Sequence, residues 1–180
     1  MCAVPIAPLN VNTGINGTFY NIGSKDIYGI AMQDNKEICI NSYVSNFDGV
    51  KRGCIWFDGQ KMNIGRIYNV KEEIKGSIKW AISGLELYPS YSPTLEGFIG
   101  AYSDVLRKCN HTAIGYKDNK VYLMACENLY LKDFREKMLN SSIAFDGIIN
   151  LDGGGSTQMN FNGKSIIKST RKLNHAIVVI

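Results

Sequence analysis

Short apolar segments separated by polar turn residues run through most of the chain, and their length and period predict β-strands. Residues 28–32 and 38–40 flank Gln33-Asp34-Asn35-Lys36. Residues 54–57 and 61–64 flank Asp58-Gly59, a dipeptide suited to the positive φ angles of a type I′ turn. Residues 112–116 and 121–125 flank Lys117-Asp118-Asn119-Lys120. Residues 157–161 and 165–167 flank Asn162-Gly163, the strongest short hairpin signal in the sequence. The apolar run 143–149, broken by Asp146-Gly147, predicts a buried strand, and the β-branched end 176–180 a strand buried on both faces.

Helical spacing is rarer. Leu131, Phe134, Met138 and Leu139 share one helical face, with Asp133 and Lys137 paired on the other and Asn128 as a candidate N-cap. Shorter helices are expected within 98–109 and 70–80, and Pro89 and Pro93 mark an exposed loop over 88–95. The balance predicts an α+β fold: mixed or antiparallel β-sheets with a few packed helices, in a single domain over 1–180.

Composition narrows the classes. In 180 residues, 45% are hydrophobic and 20% charged, enough for one ordinary core without disulfide or metal staples. The net charge of +4 is modest and no basic stripe forms, so nucleic acid is not an expected partner. Five scattered cysteines (Cys2, Cys39, Cys54, Cys109, Cys126) without a Cys-x-x-Cys read as reduced thiols. No basic segment precedes an apolar stretch at the start, and no run approaches the ~18 apolar residues of a membrane span. A soluble, cytoplasmic protein is expected, with no membrane partner.

Chemistry concentrates at Asn150-Leu151-Asp152-Gly153-Gly154-Gly155-Ser156-Thr157, where an aspartate ends the predicted buried strand. Three glycines give up side-chain packing but let a ligand approach the backbone N–H groups. Taken alone, a glycine-rich turn explains the stretch equally well. Asn16-Gly17 fits a turn better than a site, although the Asn16 amide could fix sugar hydroxyls or phosphate oxygens. His111, at the entry to a strand, could act as a general acid or cationic contact, or simply hydrogen-bond locally. Arg171 offers a donor fork suited to phosphate within what also reads as a solvated turn, and His175 takes a structural part.

In order and together, these segments resemble the phosphodiester glycosidase family, which includes the lysosomal uncovering enzyme, and look like a short bacterial or phage member. The family's asparagine-glycine-aromatic signature matches Asn16-Gly17-Thr18-Phe19, and its Ala-Ile-Ser-Gly segment matches Ala81-Ile82-Ser83-Gly84. Its Arg/His-Thr-Ala-Ile-Gly strand matches His111-Thr112-Ala113-Ile114-Gly115, and its hallmark matches Asn150 to Thr157. Its late arginine matches Arg171. The resemblance extends from Gly14 to the last residue. Further strands commonly precede the Asn-Gly motif in the family, whereas this sequence starts only about a dozen residues before it, as either a minimal or a truncated version would.

The resemblance implies hydrolysis of a sugar-1-phosphodiester at the anomeric C–O bond, with a small-molecule or glycan phosphodiester as substrate. Asp152 is then the key carboxylate, acting as base, nucleophile or cation stabiliser, and His111 a second catalytic group. Gly153, Gly154, Gly155, Ser156 and Thr157 hold substrate oxygens, Arg171 balances the phosphate charge, and Asn16 and Gly17 orient the substrate. Glycosidases ordinarily use two carboxylates; Glu86, Glu96, Glu127 and Asp146 are the candidates for the second. No cofactor or metal is expected, although Asp152 with hydroxyl and carbonyl neighbours could hold a hard divalent cation. The family carries Asp-Gly-Arg where this chain has Ala125-Cys126-Glu127-Asn128, which favours one alternative, a non-catalytic sugar-phosphate or nucleotide binder; a structural phage or cell-surface component that borrows the fold is a third, weaker option.

Overall fold

The computed structural model of the chain describes residues 8–40 and 49–180. Cys2, expected as a reduced thiol, lies outside the described residues. Two sheets carry the architecture. Strands β1 (Thr13–Asn16), β10 (Met159–Phe161), β11 (Lys164–Ile167) and β12 (Ala176–Val179) form a four-stranded sheet in the order β11-β10-β1-β12. An eight-stranded sheet contains β2 (Ile30–Gln33), β3 (Lys36–Ile40), β6 (Trp80–Tyr88), β7 (Cys109–Lys117), β8 (Lys120–Leu129) and β9 (Gly147–Asn150) in the order β3-β2-β6-β9-β7-β8. The β4 (Arg52–Phe57) and β5 (Met62–Ile67) hairpin joins it through β4 and β6.

Every strand pairing within these sheets is antiparallel. Helices are few: a single turn α1 (Val70–Glu73), α2 (Leu131–Leu139), and 3-10 helices at Gly100–Leu106 and Gly154–Ser156. The expected antiparallel sheets with a few helices are therefore present, but the balance is sheet-rich rather than clearly α+β. Only α2 has the length that the spacing predicts, with Leu131, Phe134 and Met138 buried against the sheet. Its N-cap is Tyr130 and not Asn128, which takes a left-handed conformation instead.

Hairpins follow local chemistry. Asp34-Asn35, Asp118-Asn119 and Asn162-Gly163 all hold positive φ at both central residues, as a two-residue type I′ turn requires. Asp58-Gly59 does not make that turn. The Asp58 carboxylate accepts the N–H groups of Gln60 and Lys61 at 2.8 and 2.9 Å, closing a four-residue loop. Nor is β12 buried on both faces: it is an edge strand pairing with β1, and its burial falls off toward its end. β9, by contrast, is fully buried between β6 and β7.

Beneath the larger sheet, Phe19, Leu85, Leu87, Phe98, Ala113, Phe134 and Ile148 form one apolar cluster. The cysteines Cys39, Cys54, Cys109 and Cys126 are free, and burial pushes the Cys54, Cys109 and Cys126 thiols up, which keeps them protonated. No helix among the described residues is long and apolar enough to cross a membrane.

Candidate active site

The glycine loop is fixed from behind. As the chain leaves β9, the Leu151 N–H donates to the Thr112 carbonyl at 2.8 Å and the Asp152 N–H to the Gly17 carbonyl at 3.2 Å. The Asp152 carbonyl accepts from the Asn16 amide at 2.8 Å and the Thr112 hydroxyl at 2.6 Å. Asn16 turns its own carbonyl oxygen to the Gln158 N–H at 3.1 Å. Its side chain is buried and its hydrogen-bonding capacity is committed to the protein.

Gly17 lies against the ring of His175, where an added Cβ would sit 2.1 Å from two ring atoms. His175 accepts the Thr18 N–H at Nε2 (2.8 Å), its Nδ1 lies 2.5 Å from the Asn174 side-chain oxygen, and burial pulls its pKa down to about 4. A neutral imidazole donating to Asn174 accounts for both contacts. Asn16 and Gly17 therefore position Asp152 from the rear, and neither lines the cavity in front of it.

On the front, Gly154 takes φ +58° and starts the 3-10 turn Gly154–Ser156. The Arg171 guanidinium lies flat against Gly155: a Cβ there would fall 2.5 Å from Nη2. Arg171 Nη1 donates to the Ser156 hydroxyl at 3.2 Å. Its segment is strapped to the loop by the Ser169 hydroxyl, which donates to the Gly155 carbonyl at 2.5 Å and accepts the Arg171 N–H at 3.1 Å. A second guanidinium arrives from elsewhere, with Arg107 Nη2 3.7 Å from the Cβ position of Gly154. Two arginines thus flank one glycine turn.

The cavity in front has a volume of about 300 Å³. Asp152, Gly153, Gly154, Gly155, Arg171 and His111 line it, so these predicted residues converge; Ser156 and Thr157 are buried behind them. Part of the lining is an aromatic wall that includes Phe19, Tyr20, Tyr28, Phe98 and Tyr102, and the Tyr20 hydroxyl reaches the glycine loop by accepting from the Ser156 hydroxyl at 3.4 Å. Arg52, 3% exposed, packs its guanidinium 4.6 Å from the Phe98 ring centre and donates to the Tyr28 and Glu96 carbonyls, each at 3.3 Å.

Burial pushes the Asp152 carboxyl up to about 6, against the opposing pull of the Ser156 hydroxyl, the Gly153 N–H and Arg171; Asp104 adds to the rise. At neutral pH the group is therefore ionised, but not by a wide margin. Burial also lowers the His111 pKa. Its Nε2 faces the carbonyls of Leu129 (2.9 Å) and Arg107 (3.2 Å), so that nitrogen carries the proton. Its Nδ1 remains as an acceptor on the Gly153 side. This geometry suits a neutral histidine and opposes the expected cationic phosphate contact.

The four candidates for a second carboxylate lie outside the cavity lining. Glu86 and Glu96 both pair with Arg66, at 3.1 and 3.2 Å, and Glu96 also accepts the Gly53 and Glu86 N–H groups. Burial pushes Glu96 up to about 7. Asp146 pairs with Lys117 at the other end of β7, and Glu127 is exposed on β8. The second carboxylate that does line the cavity is Asp104, paired with Arg107 at 3.2 Å. Sequence reasoning missed Asp104, Arg107 and Arg52. Asp104 and Arg107 fall in or beside the segment 98–109, where only a helix was anticipated. Among the described residues, no cluster of three or more His, Cys, Asp or Glu is placed to hold a metal ion.

A half-buried aspartate on a glycine turn between two arginines thus shares one cavity with aromatic side chains, on an antiparallel β scaffold. The sequence matches the phosphodiester glycosidase family over residues 9–180, and the chain belongs to that family. Its fold is similar to the catalytic domain of zebrafish N-acetylglucosamine-1-phosphodiester α-N-acetylglucosaminidase, described as auto-inhibited by its pro-peptide. The TM-score is 0.68 at 15% identity, covering 93% of this chain and 61% of that one. A hypothetical protein from Synechocystis matches with TM-score 0.63 at 14% identity, covering 98% of this chain and 54% of that one. The chain thus spans little more than half the length of these two structures. No curated protein matches it.

Proposed function

We propose that this family member hydrolyses a sugar-1-phosphodiester, cleaving the anomeric C–O bond and releasing the sugar from a phosphomonoester. The observation that carries the reading is the placement of Asp152 in one cavity with Arg171, whose guanidinium lies against the glycine turn at Gly155. Arg171 and Arg107 seat the phosphate, and charge-assisted, forked hydrogen bonding suits guanidinium to that task. The aromatic wall takes the sugar. As the C–O bond breaks, the electron pair leaves with the phosphate oxygen, and the Asp152 carboxylate faces the positive charge that develops at the anomeric carbon. Water adds there, and Asp104 takes its proton. His111, neutral, holds the Gly153 side of the site. The stabilised leaving group needs little protonation, so a high-pKa acid is not required opposite Asp152.

A non-catalytic sugar-phosphate binder remains the second reading, favoured by the altered segment Ala125-Cys126-Glu127-Asn128. None of those residues lines the cavity, however, so the change leaves the proposed machinery whole. The two readings separate on incubation with a GlcNAc-1-phosphodiester in H₂¹⁸O. Hydrolysis as proposed yields free sugar with the label on the anomeric hydroxyl. Label in phosphate means P–O cleavage and refutes the mechanism, while binding without products supports the binder. Because the reaction needs ionised Asp152, kcat/KM should climb as pH rises through about 6.

A further inference from the structure

Asn150, the last residue of β9, is wholly buried and lines the floor of the cavity. Its strand partners are Leu85 and Ala113, which belong to the same apolar cluster as Phe19 and Phe98. The Asn150 amide nitrogen donates to the Leu151 carbonyl at 2.8 Å. That bond fixes the orientation of the amide, because a flipped side chain would set two carbonyl oxygens against each other. The other end, Oδ1, has no hydrogen-bond partner. A buried carbonyl without a donor is costly, more so in apolar surroundings, and calls for an occupant that supplies one.

The missing group must be a donor. Phosphodiester oxygens are acceptors only and would be repelled by Oδ1, whereas a sugar hydroxyl or acylamino N–H fits. The phosphate seat lies elsewhere in the cavity, at the glycine turn between Arg107 and Arg171. We infer that Asn150 is a sugar-reading residue: its Oδ1 accepts a hydrogen bond from the glycosyl unit and sets the direction in which the phosphodiester lies. The floor holds the sugar and the glycine turn holds the phosphate. This inference rests on the phosphodiester reading above and adds the group that distinguishes one end of the substrate from the other.

Titration calorimetry with two probes tests it: inorganic phosphate, and N-acetylglucosamine-1-phosphate. Asn150→Ala should weaken the sugar phosphate about tenfold or more while leaving inorganic phosphate unchanged, because it removes a buried acceptor from one end only. Equal weakening of both probes, or of neither, overturns the inference. A second series uses the unmodified protein, so that it survives any folding defect in the variant. Analogues of the sugar phosphate, each lacking one hydroxyl or the acetamido group, should include one that binds about tenfold more weakly; a series without such an analogue overturns the assignment. An unmodified protein that binds inorganic phosphate but not the sugar phosphate also refutes Asn150 as a sugar reader. Binding of neither probe refutes the phosphodiester reading itself, and this inference with it.

Discussion

The two sides of the glycine loop are built on opposite terms. Behind it, Asn16, Thr112, Gln158 and His175 are buried, and their polar groups interlock with backbone at 2.6 to 3.1 Å. In front, Asp152 holds a carboxylate whose pKa burial has raised to about 6, and Arg171 and Arg107 stand beside glycines with no side chains of their own. The rear gains stability from satisfied hydrogen bonds, and the front gives some up to keep a charge poised. Residues that look equivalent as motif matches thus divide into positioning groups and groups free to meet a ligand.

Breaking the rear should damage the fold most. Asn16→Ala strands the Gln158 N–H and removes a donor from the Asp152 carbonyl, so unfolding in denaturant should show a loss of about 2–4 kcal/mol. Gly17→Ala drives a methyl into the His175 ring and should lose about 2–3 kcal/mol by the same measurement. In front, the effects should appear in binding instead. Arg171→Ala should weaken inorganic phosphate about tenfold to thirtyfold in calorimetry, with a change in melting temperature smaller than either rear variant shows. Arg107 is more exposed and paired with Asp104, so Arg107→Ala should cost only about threefold, an effect that salt erases. If Arg171→Ala unfolds the protein while Asn16→Ala leaves it stable, the division between front and rear is wrong.

Much of this was legible in the sequence where a local rule governs. Asn162-Gly163 and Asp118-Asn119 make the turns that their positive φ angles demand, and the face of Leu131, Phe134 and Met138 gives α2. The glycine turn with Asp152 and Arg171 was legible as an ordered set of motifs. The direction in which each residue works was not. Asn16 reads as a ligand-orienting amide until β1 places it against the Asp152 carbonyl. His111 reads as a cation until two carbonyls fix its proton at Nε2. Arg52 on β4 and the pair Asp104 and Arg107 at the 3-10 helix reach the cavity from two segments far apart in sequence, so only the fold brings them together. The terminal strand was misjudged because β-branched residues suit an edge as well as a centre.

The claim that the front holds a charge at the expense of stability can be tested without knowing the substrate. Asp152 has a folded pKa raised to about 6 against about 4 when unfolded, so its ionised form destabilises the fold once pH exceeds the unfolded value. That penalty is complete above about 6 and fades as pH falls toward 4. The carboxyl is partly exposed at the cavity, so about 1–2 kcal/mol is expected rather than the full shift. Thermal and denaturant unfolding of the unmodified protein and Asp152→Asn, followed from about pH 7.5, above both pKa values, down to about pH 4, is the decisive measurement. The variant should be the more stable protein at neutral pH, and the difference should shrink toward the acid end. A variant less stable at neutral pH, or a difference that does not change with pH, would contradict the account.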